Sequence, residues 1–350
     1  MKAAVLEAFK EPLVLREVPD PAPAEHGAVV RVGANGVCRS DWHGWVGDWP
    51  HMFDLPHVLG HEFCGTVEAV GAEVTRFTPG ERVVVPFSGG DGSCEWCRAG
   101  HSHICDDSQQ PGFSYWGAFA PYVAVPYADG NLVALPDEIG FVEAASMGCR
   151  YMTSFHGLVD QADVKAGEWV AVHGCGGVGL AAVQIATALG ANVIAVDIIP
   201  AKLDFAKELG AVAAVNASNA SNADPAEAIL ELTSGGAEVA VDALGIAATC
   251  RNAIRSLRKR GRQVQIGLTS AAEAGEVALP VDLMVERELR LVGSHGMQAT
   301  RYPAMLRMVA TGKLDPGSLV TGTIALEEAG GVLAAMDAFD TLGVTVIDRF

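Results

Sequence analysis

Basic residues are scarce in this chain: 24 Lys and Arg stand against 42 Asp and Glu, a formal net charge of −18 over 350 residues. No basic tract interrupts that excess, so a polyanion would meet a repelling surface, and nucleic acid is excluded as a partner. Long apolar runs are missing too. No segment approaches the ~20 consecutive apolar residues that cross a bilayer. The N-terminus, Met1-Lys-Ala-Ala-Val-Leu-Glu7, lacks the apolar core of a secretory leader. The expectation is a cytoplasmic protein with no membrane partner. In a reducing compartment, the eight cysteines are metal ligands and buried thiols rather than disulfides. What remains is ordinary for a globular chain, half hydrophobic and 19% charged, and long enough for roughly two domains.

The strongest stretch that is present runs Trp169-Val-Ala-Val-His-Gly174-Cys175-Gly176-Gly177-Val178-Gly179-Leu-Ala-Ala-Val-Gln-Ile-Ala186. A short apolar run suits a buried parallel strand, glycines turn the chain, and an Ala/Val/Ile-rich helix follows. Gly174, Gly176 and Gly179 fit G-x-G-x-x-G in the strand-to-helix context it requires. The glycines allow the tight turn and the close approach of a pyrophosphate, and the free N–H groups of the helix start receive the phosphates. A second strand, Asn192–Asp197, ends on a carboxylate 18 residues past Gly179. Such a carboxylate accepts hydrogen bonds from ribose hydroxyls and repels a 2′-phosphate, favouring NAD over NADP. Helix and strand then alternate: helix 201–210, strand 212–215, a polar loop at 216–225, strand 238–242, helix 247–257, strand 261–266 and strand 288–293. Six strands with helical crossovers predict a doubly wound α/β domain.

The first third reads differently. Short apolar runs broken by Pro12, Pro19, Pro21 and Pro23 predict antiparallel strands. Cys38, followed later by His61-Glu62, is a plausible zinc set, because thiolate and imidazole suit that borderline-soft ion. Cys94-x-x-Cys97 with Cys105 in a polar, glycine-bearing loop argues for a structural tetrahedral site. Helices are expected over 141–149 and 151–159, and again over 302–311 and 326–339. Cys64, Cys175 and Cys250 read as structural thiols, although Cys175 lies in the phosphate loop and could be oxidation-sensitive. His51, His57, His156 and His173 read as packing or surface residues.

In this order, Cys38-Arg39-Ser40-Asp41-x-His43, Gly60-His61-Glu62, the three-cysteine lobe, Cys149 and Gly174-x-Gly176-Gly177-x-Gly179 resemble the zinc-dependent medium-chain alcohol dehydrogenases over essentially the whole chain. The resemblance implies an α/β chain with a β-rich, GroES-like catalytic domain (1–150), a doubly wound Rossmann cofactor domain (151–294) and a C-terminal part (295–350) returning to the first. It implies Cys38, His61 and Cys149 as catalytic-zinc ligands, Glu62 behind the metal and able to ligate it transiently, and Asp41 orienting the histidine. Arg39 matches a residue that pairs with cofactor phosphate, Ser40 and His43 a proton relay, Thr153 a nicotinamide contact and Lys202 an adenosine-ribose contact. Ser294 to Gly296 match the backbone that reads the carboxamide, and Gly177, Val178 and Ile266 fall among the cofactor contacts. Phe87 and Trp116 match pocket-wall positions. The family's cofactors imply two zinc ions and NAD per chain. Its members imply a homo-oligomer, dimer or tetramer, acting on a small-molecule alcohol and the matching aldehyde or ketone.

Two departures stand out. The family's first lobe cysteine is Asp91 here, giving Asp91, Cys94, Cys97 and Cys105 as the structural set, with His101 and His103 as competitors. Where many members have a phosphate-binding arginine after Gly343, this chain has Val344. Polyol and threonine-type relatives usually carry an acidic residue where this chain reads Met147-Gly-Cys149-Arg150, which favours the alcohol branch; the expected substrate is a primary or secondary alcohol with a bulky apolar group. A zinc-free enoyl reductase is disfavoured by Cys38, His61 and Cys149 together. A non-enzymatic dinucleotide-binding protein on the same fold would need neither the zinc set nor the relay.

Overall fold

β-Branched runs punctuated by proline give the early part of the chain its strands. β1 (Lys2–Val5) and β2 (Val14–Glu17) form an antiparallel ribbon. β3 (Ala28–Val37) follows, then β4 (Glu62–Val70), β5 (Arg82–Val84), β6 (Tyr122–Val125) and β7 (Val133–Ala134). β3 is the hub, pairing antiparallel with both β4 and β6. It is buried along almost its whole length, which is why nearly every residue in it is apolar or small. The computed structural model describes residues 1–218, 224–270 and 272–350. Within it the chain divides into two units, Met1–Met152 with Gly296–Phe350, and Thr153–His295.

The second unit is a six-stranded parallel sheet: β8 (Trp169–His173), β9 (Asn192–Asp197), β10 (Ala213–Asn216), β11 (Ala237–Asp242), β12 (Leu257–Gln265) and β13 (Arg290–Gly293). Helices Gly177–Ala188, Pro200–Glu208, Pro225–Leu232 and Ala247–Arg255 make the crossovers. The spatial order β10-β9-β8-β11-β12-β13 is the doubly wound 3-2-1-4-5-6 order. Its direction reverses between β8 and β11, so a crevice opens at the carboxyl end of β8, where the glycine loop begins. Leu257, expected to end a helix, instead starts β12 opposite Ala237, where it is fully buried. Of the expected polar loop, 219–223 lie outside the described residues.

The chain then adds β14 (Val320–Ala325) and β15 (Val344–Arg349) to the first unit's sheet, β15 pairing antiparallel with β3. Leu326, Leu333, Met336 and Ile347 join Leu6, Leu59 and Phe119 in one core cluster, each such buried side chain stabilising by roughly 1.5–3 kcal/mol. The expected helix over 141–149 is α-helical only from Phe141 to Ala145 and widens into a π-type turn at Met147–Tyr151. At this turn the backbone N–H groups of Cys149 and Arg150 bond the distant Glu62 carboxylate. Such wide turns recur at functional sites. Among the described residues no helix is long and apolar enough to cross a membrane.

Candidate active site

Cys38 caps the helix Arg39–Val46, and Asp41 in its first turn organises what surrounds it. One Asp41 oxygen accepts from the Cys38 backbone N–H at 2.9 Å. The other accepts from Gly60 N–H at 3.0 Å and pairs with His61 Nδ1 at 2.8 Å. A single buried carboxylate thus ties the end of β3 to the loop entering β4, and an acidic residue there also suits the helix start. With Nδ1 engaged, His61 presents Nε2, which is buried and has no hydrogen-bond partner. Sγ of Cys38, a ring nitrogen of His61, Sγ of Cys149 and a carboxylate oxygen of Glu62 lie within 4.8 Å of one another.

The buried charges of the site act on its own members. Burial pushes the His61 imidazole down, but the Asp41 charge and hydrogen bond outweigh it, and the group stands well above the usual histidine range. The hydrogen bond from Cys149, helped by the Arg150 charge, holds the Cys38 thiol well below its ordinary value, while the same bond and burial raise Cys149. Two soft sulfurs and an imidazole whose Nε2 lacks a partner are a donor set that fits a zinc ion with one position left open.

The lobe gathers a second set. Sγ of Cys94 and Cys105 lie 3.7 Å apart, and Asp91 Oδ1 stands 3.2 Å from Cys105 Sγ and 3.8 Å from Cys97 Sγ. Zinc–sulfur bonds of about 2.3 Å at tetrahedral angles would put two sulfurs roughly 3.8 Å apart. The converging group contains Asp91, Cys94, Cys97 and Cys105. His101 and His103, competitors on spacing alone, instead meet each other edge to face at 6.0 Å.

Ser40 and His43 sit one turn apart on the helix Arg39–Val46, both half-buried. His43 Nδ1 pairs with Asp48 at 2.6 Å, and its ring stacks on Trp49 at 4.8 Å. Arg39 lays its guanidinium over Trp42 and Phe339, 4.7 and 4.2 Å from the ring centroids, and its Nη1 is buried without a partner. The two aromatics expected at pocket-wall positions differ. Phe87 is buried, its ring edge-on to His61 at 6.0 Å. Trp116 is 41% exposed and lines an open cleft of about 490 Å³ with His57 and Phe113. Phe113, which no motif singled out, lies 5.4 Å from the His61 ring. Gly296, at φ +50°, packs so closely that an added Cβ would fall 2.2 Å from Ser88 Oγ.

In the second unit, Gly174 has φ +92°, a left-handed turn that glycine adopts without strain. A Cβ at Gly179 would lie 1.7 Å from Gly174 O, so that position admits only glycine. Gly176 caps the helix that Gly177, Val178 and Gly179 begin. Asp197 Oδ2 accepts from Cys175 N–H at 2.7 Å and Oδ1 from Ile199 N–H at 2.9 Å, which fixes the carboxylate at the end of β9. Lys202 is buried in the first turn of the next helix. Thr153 is buried, Ser294 Oγ is buried without a partner, and Ile266 lies just past β12. Cys175 differs from the expectation of an oxidation-sensitive thiol: it is fully buried, and burial pushes it up to about 12, so little thiolate forms. His57 and His173 are packed residues that burial pushes down to about 4.

Sequence reasoning gave Arg150 no role in the site. It is buried and paired with Glu62. The available signal was a lone charge in the apolar run Met147-Gly-Cys-Arg-Tyr-Met152, since arginine is seldom buried without a partner.

Residues 24–137 match the family described as alcohol dehydrogenase GroES-like domain, and residues 177–311 the one described as zinc-binding dehydrogenase. An alcohol dehydrogenase of Geobacillus stearothermophilus is 37% identical over 90% of each chain. An NAD-dependent alcohol dehydrogenase of Sulfurisphaera tokodaii is 32% identical over 99% of each. The solved structure of an alcohol dehydrogenase from Thermus sp. ATN1 superposes with a TM-score of 0.90 at 31% identity, covering all of both chains.

Proposed function

Because the chain belongs to the zinc-dependent medium-chain alcohol dehydrogenases, we propose that it reversibly oxidises primary or secondary alcohols with a bulky apolar group, using NAD. One observation carries the reading: the buried, unpartnered Nε2 of His61 converging with Cys38 and Cys149. Zinc held by those three residues would supply a Lewis acid for the alcohol oxygen, and NAD a hydride acceptor. Asp41 fixes the orientation of His61 and enriches its ring as a donor. Arg39 offers its buried Nη1 to a cofactor phosphate. The glycine loop at Gly174–Gly179 and the first N–H groups of its helix receive the pyrophosphate, Asp197 and Lys202 the adenosine ribose, and Thr153, Ile266 and the Ser294–Gly296 segment the nicotinamide end. Phe87 and Phe113 beside His61 support an apolar substrate group, with Trp116 proposed further out.

NADH formation over a panel of alcohols with purified protein tests the reading; no turnover of any alcohol by zinc-loaded protein would sink it. Asp91, Cys94, Cys97 and Cys105 are proposed as a second, structural zinc site. Elemental analysis should give two zinc ions per chain, and Cys94→Ser one, with a lowered Tm. An unchanged zinc content in that variant defeats the lobe site. Self-association into a dimer or tetramer is proposed on the family membership alone, and light scattering reads it directly.

Ser40 and His43 are proposed to pass the substrate proton outward. His43→Gln should slow alcohol oxidation mainly below about pH 8, because hydroxide takes the proton directly at higher pH. The loss should fall at or below the low end of the usual 10²–10⁴-fold for acid–base help, since His43 stands at the outer end of the path. Ser40→Ala should cost more. A uniform loss at every pH in the His43 variant would mean that the histidine only positions the loop it shares with Asp48.

A further inference from the structure

We propose that Arg150 is a positioning residue that holds Glu62 off the metal, making this carboxylate an anchor for the Cys149 backbone and withholding it from the open coordination position. The inference rests on the reading of Cys38, His61 and Cys149 as zinc ligands. Glu62 is fully buried and stands within ligating distance of the cluster, so its alternatives are to bind the cation or to be occupied otherwise. Its Oε1 accepts from the backbone N–H of Cys149 and of Arg150, both at 3.1 Å, and from Arg150 Nε at 3.0 Å. Its Oε2 is gripped by Arg150 Nη2. Three donors thus converge on Oε1 and one on Oε2, so both oxygens of the carboxylate are engaged.

The fork of a guanidinium matches two carboxylate oxygens in a way an ammonium cannot. The surrounding backbone is shaped to the pair. A Cβ at Gly148 would fall 2.4 Å from Glu62 Cα, and one at Gly36 would fall 2.4 Å from Glu62 Oε2 and 3.1 Å from Arg150 Nη2. The wide turn at Met147–Tyr151 frees consecutive N–H groups of residues 149 and 150 for the same oxygen.

Charge counting explains why the lock is needed. Two thiolates balance a divalent cation, and Glu62 and Arg150 balance each other. Without Arg150, Glu62 would be an unpaired buried carboxylate, a costly state that binding the cation relieves.

The test uses the holoenzyme with Co²⁺ in place of zinc, since a thiolate–imidazole set gives Co²⁺ a visible ligand-field band, and imidazole as probe of the open position. The lobe set, closed by four protein ligands, does not respond to imidazole. The wild-type band should shift on adding imidazole. Arg150→Met should abolish the shift, because Glu62 now fills the position, and the double variant Arg150→Met/Glu62→Gln should restore it. Glu62→Gln alone, which keeps one acceptor oxygen for the Cys149 and Arg150 N–H groups, should still let the band shift on adding imidazole. A wild-type response in Arg150→Met, or a lost imidazole response in Glu62→Gln, overturns the proposal. The second arm stands even if Arg150→Met does not fold. Failure of wild type to take up Co²⁺ with an imidazole-sensitive band would overturn the zinc reading itself, and this inference with it.

Discussion

His61→Ala is expected to lower kcat by at least about 10³-fold, with Cys38→Ser similar, while NADH binding measured by fluorescence titration stays within a few-fold of wild type. The proposed Lewis-acid contribution is several kcal/mol, and 1.4 kcal/mol is a decade. Removing one of three protein donors also frees the ion to leave. Dinucleotide affinity should survive because the glycine loop, Asp197 and Lys202 all belong to the second unit, whereas the donor set belongs to the first. Asp41→Asn should fall between: it keeps one acceptor oxygen, for His61 Nδ1 and Gly60 N–H, but turns an amide NH2 towards Cys38 N–H and loses the charge. Replacing such an outer partner typically costs 10–100-fold in metal affinity or activity. A His61→Ala enzyme retaining wild-type kcat would overturn the assignment. Equal loss of turnover and of NADH binding would mean that the substitution unfolds the protein.

β8, β9 and β11 were legible because parallel strands buried on both faces must be nearly continuous apolar runs, and glycine or aspartate closes each of them. Leu257 was misread because apolar periodicity alone does not separate the last turn of a helix from the first residue of a buried strand. Cys38, Asp41 and His43 share one short motif, so their proximity follows from helix spacing. Cys149 lies 87 residues beyond Glu62, and no local pattern joins the two; only the family resemblance put Cys149 beside His61 before the structure did. Arg150 and Phe113 escaped because their partners are set by tertiary packing, Arg150 by the Glu62 carboxylate and Phe113 by the ring of His61. The lobe shows the opposite case. The family resemblance pointed to Asp91, with His101 and His103 as competitors, and the ligand atoms that lie together with the three sulfurs are those of Asp91.

NAD should exceed NADP in kcat/KM by at least ~100-fold, and Asp197→Gly combined with Ile198→Arg should move the preference towards NADP. The carboxylate at the end of β9 is not free to swing aside: Cys175 N–H and Ile199 N–H hold one oxygen each, at 2.7 and 2.9 Å. A 2′-phosphate brought to the ribose position would face that fixed charge, at a cost of several kcal/mol in a partly buried site, and 1.4 kcal/mol is tenfold. Ile198 is 61% exposed, so an arginine there has room to reach a phosphate without disturbing the core. Asp197→Asn separates the two jobs of the residue. It keeps an acceptor for one of the backbone N–H groups and removes the repulsion, so it should raise kcat/KM for NADP while lowering that for NAD only modestly. Asp197→Gly alone gives up both backbone bonds and should loosen the phosphate loop for either cofactor, which is why the arginine is needed to see a gain. Equal efficiency of the wild-type protein with NAD and NADP would defeat the assignment of Asp197. An Asn variant that loses NAD activity without gaining any with NADP would show that the carboxylate serves the loop and not the choice of cofactor.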